Sequence, residues 1–151
     1  MTTVSNRVAV LHGVNFDVLE RRDPAIYGGL SLSELERRIS DWAHEQRLEP
    51  IFFQTNAEGE FCEYLHRSAD LADAAIVNPG AWTHYSRAIA DALELTRLPA
   101  VEVHLSDVEG RDDWRRLSVF EGLVIAKISG KGPEGYQEAL ELLARELGAI
   151  S

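Results

Sequence analysis

Short apolar runs alternate five times with helical patterns along this chain, and few folds accept that order. The runs at 7–11, 50–54, 74–77, 101–105 and 123–128 are short and apolar, with Val, Ile and Phe prominent, and read as buried strands. Between them, apolar residues recur at helical spacing. Ser31 and Glu34 form a capping box, and Leu32, Leu35, Ile39 and Trp42 mark the inward face of a helix to about Gln46. Phe61, Tyr64, Leu65 and Leu71 mark a second helix over 60–71, and Ile89, Ala92 and Leu93 a third, closed by Pro99. A short polar helix or turn spans 111–116, and a glycine-rich turn spans 130–135. Leu140, Leu143, Ala144 and Leu147 then mark a last helix over 136–147. Strands joined by helical crossovers form a parallel sheet covered on both faces. With right-handed crossovers, five strands predict an α/β, flavodoxin-like three-layer sandwich of order 2-1-3-4-5.

The 151 residues suffice for one domain with a full core, and no linker or repeat divides 1–151. The segment from about 16 to 29 has no steady period and reads as a lid loop. A net charge of −10 argues against a nucleic-acid partner, because phosphate backbones need a basic face. Positive charge is nevertheless clustered: Arg21 with Arg22, then Arg111, Arg115 and Arg116. Such a cluster sets the field of a cleft for a small anion. No run approaches the ~20 apolar residues of a membrane span, and residues 1–7 lack a leader's apolar core. The single cysteine, Cys62, forms no internal disulfide and is expected as a buried thiol in a cytoplasmic protein.

Two strands end in polar clusters. One is the stretch from Asn78 through Pro79, Gly80, Trp82, Thr83 and His84; the other is Glu102, His104, Leu105 and Ser106. Open α/β sheets bind ligands at this carboxyl edge. Gly13 alone follows the first strand, so the three-glycine dinucleotide fingerprint is absent. Gly130-Lys131-Gly132 lacks the Ser/Thr that a phosphate loop places after its Lys. His84 and His104, near Glu102 and Asp107, have the residue types of metal ligands but no paired-ligand spacing; acid–base work is the expectation. His44 and His66 are expected on the surface. Tyr27 supports two readings, a ring that packs the lid down or a general base. A cation beside an acid favours its ionised form, and Arg21 and Arg22 are near in sequence.

Several ordered segments resemble the type II 3-dehydroquinate dehydratases over nearly the whole chain. They are Gly13-Val14-Asn15, Arg22-Asp23-Pro24-Ala25-Ile26-Tyr27-Gly28, Phe53-Gln54-Thr55-Asn56-Ala57-Glu58-Gly59, Asn78-Pro79-Gly80-Ala81-Trp82-Thr83-His84, Glu102-Val103-His104-Leu105-Ser106 and Arg111-Asp112-Asp113-Trp114-Arg115. The resemblance implies a hydro-lyase. It removes a proton α to the ketone of 3-dehydroquinate, passes through an enolate and expels water, without cofactor or metal. It places the chain in the shikimate pathway of aromatic biosynthesis or in quinate catabolism. By the same likeness Tyr27 is the base and Arg22 its lid arginine, with Arg111 beside it. Asn15 supports the enolate; His104 is the general acid, oriented by Glu102. Asn78, His84 and Arg115 contact substrate hydroxyls, and the backbone amides of Leu105 and Ser106 cradle the carboxylate of this polyhydroxy-cyclohexane carboxylate. The family assembles as a homododecamer, a tetramer of trimers, with Asp91 reaching a neighbouring site.

The chain departs from the family pattern at His12, Val14, Phe16, Asp17, Ala57, Trp82, Tyr85 and Leu117, and over 107–110. Larger side chains at Phe16 and Tyr85 are expected to narrow the pocket, and Asp17 to repolarise it. Alternative functions are therefore a paralogue acting on a modified substrate, such as amino-dehydroquinate, or a weakly active or binding-only homologue. A flavodoxin-like FMN module is disfavoured by the missing phosphate loop after Leu11.

Overall fold

The computed structural model of the chain describes residues 5–150. Residues 1–4 and 151, which the single-domain reading included, lie outside the described residues. Strand β1 is Arg7–His12, β2 Glu49–Gln54, β3 Ala74–Asn78, β4 Ala100–His104 and β5 Ala126–Ser129. The strands form one parallel sheet in the order β2-β1-β3-β4-β5, as the sequence predicts. The helices are α1 Pro24–Tyr27, α2 Leu32–Glu45, α3 Glu58–Leu71, α4 Arg87–Thr96 and α5 Glu134–Ile150.

Alternation along the strands sends successive side chains to opposite faces. Val8, Val10, Ile76, Val101 and Val103 face α2 and α5, where Leu35, Ile39, Leu140 and Leu143 complete one core. Ala9, Leu11, Ala75, Val77 and Ala100 face the other layer, with Phe61 and Leu65 of α3 and Ile89 and Leu93 of α4. Ser31 caps α2, its hydroxyl accepting from the Glu34 amide at 3.2 Å. The carboxyl ends of all strands share one edge; His12 is in register with both Gln54 and Asn78.

Several details differ from the sequence reading. Strand β5 begins at Ala126 rather than 123. Its register sets Val101 against Ala126, so Val124 falls opposite Pro99, which has no N–H to offer a ladder. Leu123 and Val124 pack against the α3/α4 core instead, and Ile125 is exposed. Leu71 ends α3 exposed, while Cys62 is half-buried; burial and nearby Glu58 raise its pKa. The lid is more ordered than its sequence suggests: a 3-10 helix, Phe16–Arg21, precedes α1. His44 and His66 are exposed, as expected.

Gly13 carries the turn out of β1. A Cβ there would lie 2.2 Å from the Pro79 carbonyl oxygen and 2.6 Å from its Cα. The Gly13 amide donates to the Asn78 carbonyl at 2.8 Å, which pins this approach. Gly13→Ala is expected to cost about 1–3 kcal/mol or more through overpacking. Chemical denaturation checks this; an unchanged midpoint would show that the two loops separate freely.

Candidate active site

The carboxyl edge of β1, β3 and β4, closed over by the lid, forms one cleft of about 150 Å³. That volume is comparable with cavities that take a benzene-sized ring. Asn15, Arg22, Tyr27, Asn78, His84 and His104 all line it. So do Leu105, Ser106, Arg111 and Arg115. Glu102 lies behind His104, fully buried. Asp91 does not reach this cleft; it is exposed on α4.

The lid brings Tyr27 between two arginines. Arg22 donates to the Tyr27 hydroxyl, and its guanidinium carbon lies 4.1 Å from the ring centroid. Arg111 Nη1 donates to the same oxygen at 2.8 Å from 84 residues away. Arginine has only donors, so this oxygen accepts from both partners. Gly28 ends α1 in a left-handed turn, and the Asp23 side chain accepts from the Ala25 amide at its start. This single turn fixes where Tyr27 points.

On β4, residues 102 and 104 share one sheet face. His104 Nε2 lies 2.6 Å from Glu102 Oε2. Thr83 Oγ1 donates to the same Glu102 oxygen at 2.6 Å, and Ser118 Oγ donates to Oε1 at 2.7 Å. Burial pushes the Glu102 pKa up, yet the hydrogen bonds from His104, Thr83 and Ser118 and the His104 charge hold it below its ordinary value. The carboxylate is thus ionised and accepting. His104 Nε2 carries the proton of that bond, which leaves Nδ1 as the ring's remaining site of proton transfer.

His84 stacks on His104, with ring centroids 6.4 Å apart, and Trp114 meets it edge-on at 5.1 Å. Its Nδ1 lies 2.7 Å from the Leu117 carbonyl, which can only accept. Nδ1 therefore holds the proton, and Nε2 is an acceptor in the neutral ring. Burial lowers the His84 pKa; the Leu117 carbonyl opposes this, while His104 and Arg115 add to the lowering. A histidine whose pKa falls on folding stabilises the fold above about 6.5, its ordinary value, and loses that contribution as pH falls through the lower folded value. An NMR titration is expected to place the His84 midpoint below that of a free histidine; a midpoint above it would reverse the assignment.

Asn78 comes from the opposite sheet face. Its Nδ2 donates to the hydroxyl of Tyr136 at 3.1 Å, and Tyr136 is completely buried on α5, with its pKa raised by burial. The carbonyls of Leu105 and Ser106 accept from the Gly132 and Gly130 amides, tying the end of β4 to the glycine turn.

Some rim expectations need correction. Phe16 lines the cleft, together with Val14, as predicted. Tyr85 is 61% exposed and does not line it. Trp82 is buried edge-on against Phe61, in the core. Asp17 is not among the lining residues; its carboxylate accepts from Asn56 Nδ2 at 3.0 Å. Thr83, Ser118 and Tyr136 were not singled out as partners of the site. Thr83 carried a signal in its place in a polar strand-end cluster. Among the described residues, no three His, Cys, Asp or Glu side chains converge as a metal ligand set. No described helix is long and apolar enough to cross a membrane.

A flavodoxin-like α/β sandwich with an arginine-bound lid tyrosine and a Glu–His pair at its carboxyl edge has the makings of an acid–base enzyme. The Dehydroquinase class II family model matches residues 6–144. A 3-dehydroquinate dehydratase from Halothermothrix orenii is 44% identical over 91% of this chain and 93% of its own length. One from Syntrophotalea carbinolica is 45% identical over 89% of this chain and 91% of its own. The crystal structure of the type II dehydroquinase from Propionibacterium acnes superposes with a TM-score of 0.88, at 37% identity, over 95% of this chain and 99% of its own. The chain belongs to the class II dehydroquinase family.

Proposed function

We propose that this chain dehydrates 3-dehydroquinate to 3-dehydroshikimate through an enolate. The observation that carries the reading is the Tyr27 hydroxyl, held by Arg22 and Arg111 in the same cleft as the Glu102–His104 pair. The Tyr27 phenolate takes the proton α to the ketone. Two guanidinium donors stabilise that phenolate through charge-assisted hydrogen bonds. The ketone oxygen becomes the enolate, near Asn15. The enolate then collapses to form the ring double bond, and the C1 hydroxyl leaves with a proton from His104, as water. Glu102 orients and charge-balances His104 throughout. Proton removal and leaving-group protonation fall on different groups, as such an elimination needs.

Substrate contacts follow from the same geometry. His84 Nε2 accepts from a ring hydroxyl, and Asn78 and Arg115 supply further polar contacts. The amides of Leu105 and Ser106 cradle the carboxylate, in a positive field from Arg22, Arg111 and Arg115 that offsets the protein's negative charge. The modified-substrate alternative is not favoured, because relatives 44% and 45% identical over about nine-tenths of the chain are 3-dehydroquinate dehydratases, and of the departures only Val14, Phe16 and Val108 line the cleft. Tyr85, Trp114 and Leu117 are 61%, 49% and 55% exposed, an apolar surface suited to subunit contact. It favours subunit contact, which we read as that of a homododecamer in which Asp91 serves a neighbouring cleft, in a cytoplasmic protein. Sedimentation velocity tests the assembly. A twelve-chain particle is expected; a monomer at assay concentration would remove that part of the proposal.

Turnover of 3-dehydroquinate and of its amino analogue, followed side by side as enone absorbance, tests the substrate. A higher kcat/KM for 3-dehydroquinate is expected. Turnover of the amino analogue alone would overturn the assignment.

A further inference from the structure

The backbone of Asn15 adopts a left-handed conformation, and its amide is bonded to a side chain outside the cleft. Its φ is +73°, in the left-handed region, which non-glycine residues seldom occupy. Such a conformation persists where its surroundings over-determine it. Asn15 stands at the N-cap of the 3-10 helix, yet its side chain makes no capping bond. That side chain remains available to the cleft, and although Asn tolerates the left-handed region better than most residues, the backbone has a further partner.

The backbone amide of Asn15 donates to Asn56 Oδ1 at 2.8 Å. Gln54 Nε2 donates to the same oxygen at 3.2 Å and to the Gly13 carbonyl at 3.1 Å. Asn56 Nδ2 donates to Asp17 Oδ2 at 3.0 Å. The orientation of the Asn56 amide is therefore set on both sides: its oxygen meets two donors, and its nitrogen meets a carboxylate that can only accept. The network ties the loop after β2 to residues 13–17, where β1 gives way to the lid.

Building on the enolate reading above, we propose that Asn56, clamped between Gln54 and Asp17, is a positioning residue that fixes the Asn15 backbone for enolate stabilisation. It touches no substrate; it acts through Asn15. Stabilising donors are effective when preorganised, and small misplacements in an active site carry large rate penalties.

A charge-swap pair tests this. Asn56→Asp keeps the acceptor for the Asn15 amide but loses the donor to Asp17 and sets two carboxylates against each other. Asp17→Asn in the same chain restores a donor–acceptor pair with the roles reversed. Asn56→Asp is expected to lower kcat about 10–100-fold with little change in KM, the signature of an interaction made in the transition state. The double variant N56D/D17N is expected to recover most of that loss. Hydrogen exchange of the Asn15 amide, read by NMR, is expected to accelerate in Asn56→Asp and to return toward wild type in the double variant. This readout does not depend on turnover, so it judges the clamp even if the wild-type chain proves inactive on 3-dehydroquinate. Unchanged exchange in Asn56→Asp, unchanged kcat in an active enzyme, or an equal loss in both variants would overturn the proposal.

Discussion

Tyr27→Phe is expected to lower kcat on 3-dehydroquinate by about 10²–10⁴-fold, the range for removing a general base. The substitution deletes one oxygen and keeps the ring. Arg22 retains its cation–π contact, 4.1 Å from the ring centroid, so the lid keeps a reason to close. Arg22 and Arg111 lose a shared acceptor, but both are only partly buried and can turn to water or to the substrate carboxylate. KM is therefore expected to change far less than kcat, and the thermal midpoint hardly at all. Steady-state kinetics of enone formation, with a thermal melt as control, measure all three. A Tyr27→Phe enzyme that keeps more than a tenth of wild-type kcat would mean that another group removes the proton.

Glu102→Gln is expected to damage both rate and stability. Glu102 accepts from His104, Thr83 and Ser118 through its two oxygens. A glutamine amide has one accepting oxygen and no charge: Ser118 Oγ can turn to accept from its N–H₂ group, but the bonds from His104 and Thr83 lose their charge assistance. Hydrogen bonds to a charged group contribute more than neutral ones, and the loss is expected to cost about 1 kcal/mol. The rate is expected to fall by about 10²–10⁴-fold, because a carboxylate behind a catalytic imidazole fixes its tautomer and balances its charge. The pH dependence has a definite sign. The Glu102 pKa is lowered on folding, so its stabilisation is full above the ordinary glutamate value of about 4.3 and is lost as pH falls through the lower folded value. The stability gap between wild type and Glu102→Gln should thus be widest near neutral pH and close in acid. Denaturant titrations at several pH values read this directly. A gap that widens in acid would contradict the ionised, three-donor arrangement.

The sheet order was legible because the three inner strands are apolar enough for burial on both faces and three of the four crossovers carry an α-helix; that from β4 to β5 has only 3-10 turns. The start of β5 was not legible: Leu123 and Val124 have strand character, and only the register opposite Pro99 excludes them. Helix faces were readable except at the end of α3, where Leu71 has run past the core. The polar strand ends were evident in the sequence, and they came together with Arg22, Arg111 and Arg115 as the site or just behind it; Arg21 and Arg116 do not line the cleft, and Asp91, on α4, stands apart. Tyr27 was ambiguous within its own loop. Its second arginine comes from 84 residues away, a pairing that local spacing cannot show. The buried Glu102 contacts were equally hidden, since Ser118 reaches it from an irregular segment between β4 and β5. Bulk at Trp82 and Tyr85 was misleading for a geometric reason. A 3-10 turn, Gly80–His84, sends Trp82 into the core and His84 into the cleft, and leaves Tyr85 in solvent.

The most direct test of the central claim is enone absorbance with purified protein, excess 3-dehydroquinate and a metal chelator. A steady rise, unaffected by the chelator, is the expected result. A flat trace from folded protein would contradict the assignment of this chain as a dehydratase that works with its own side chains.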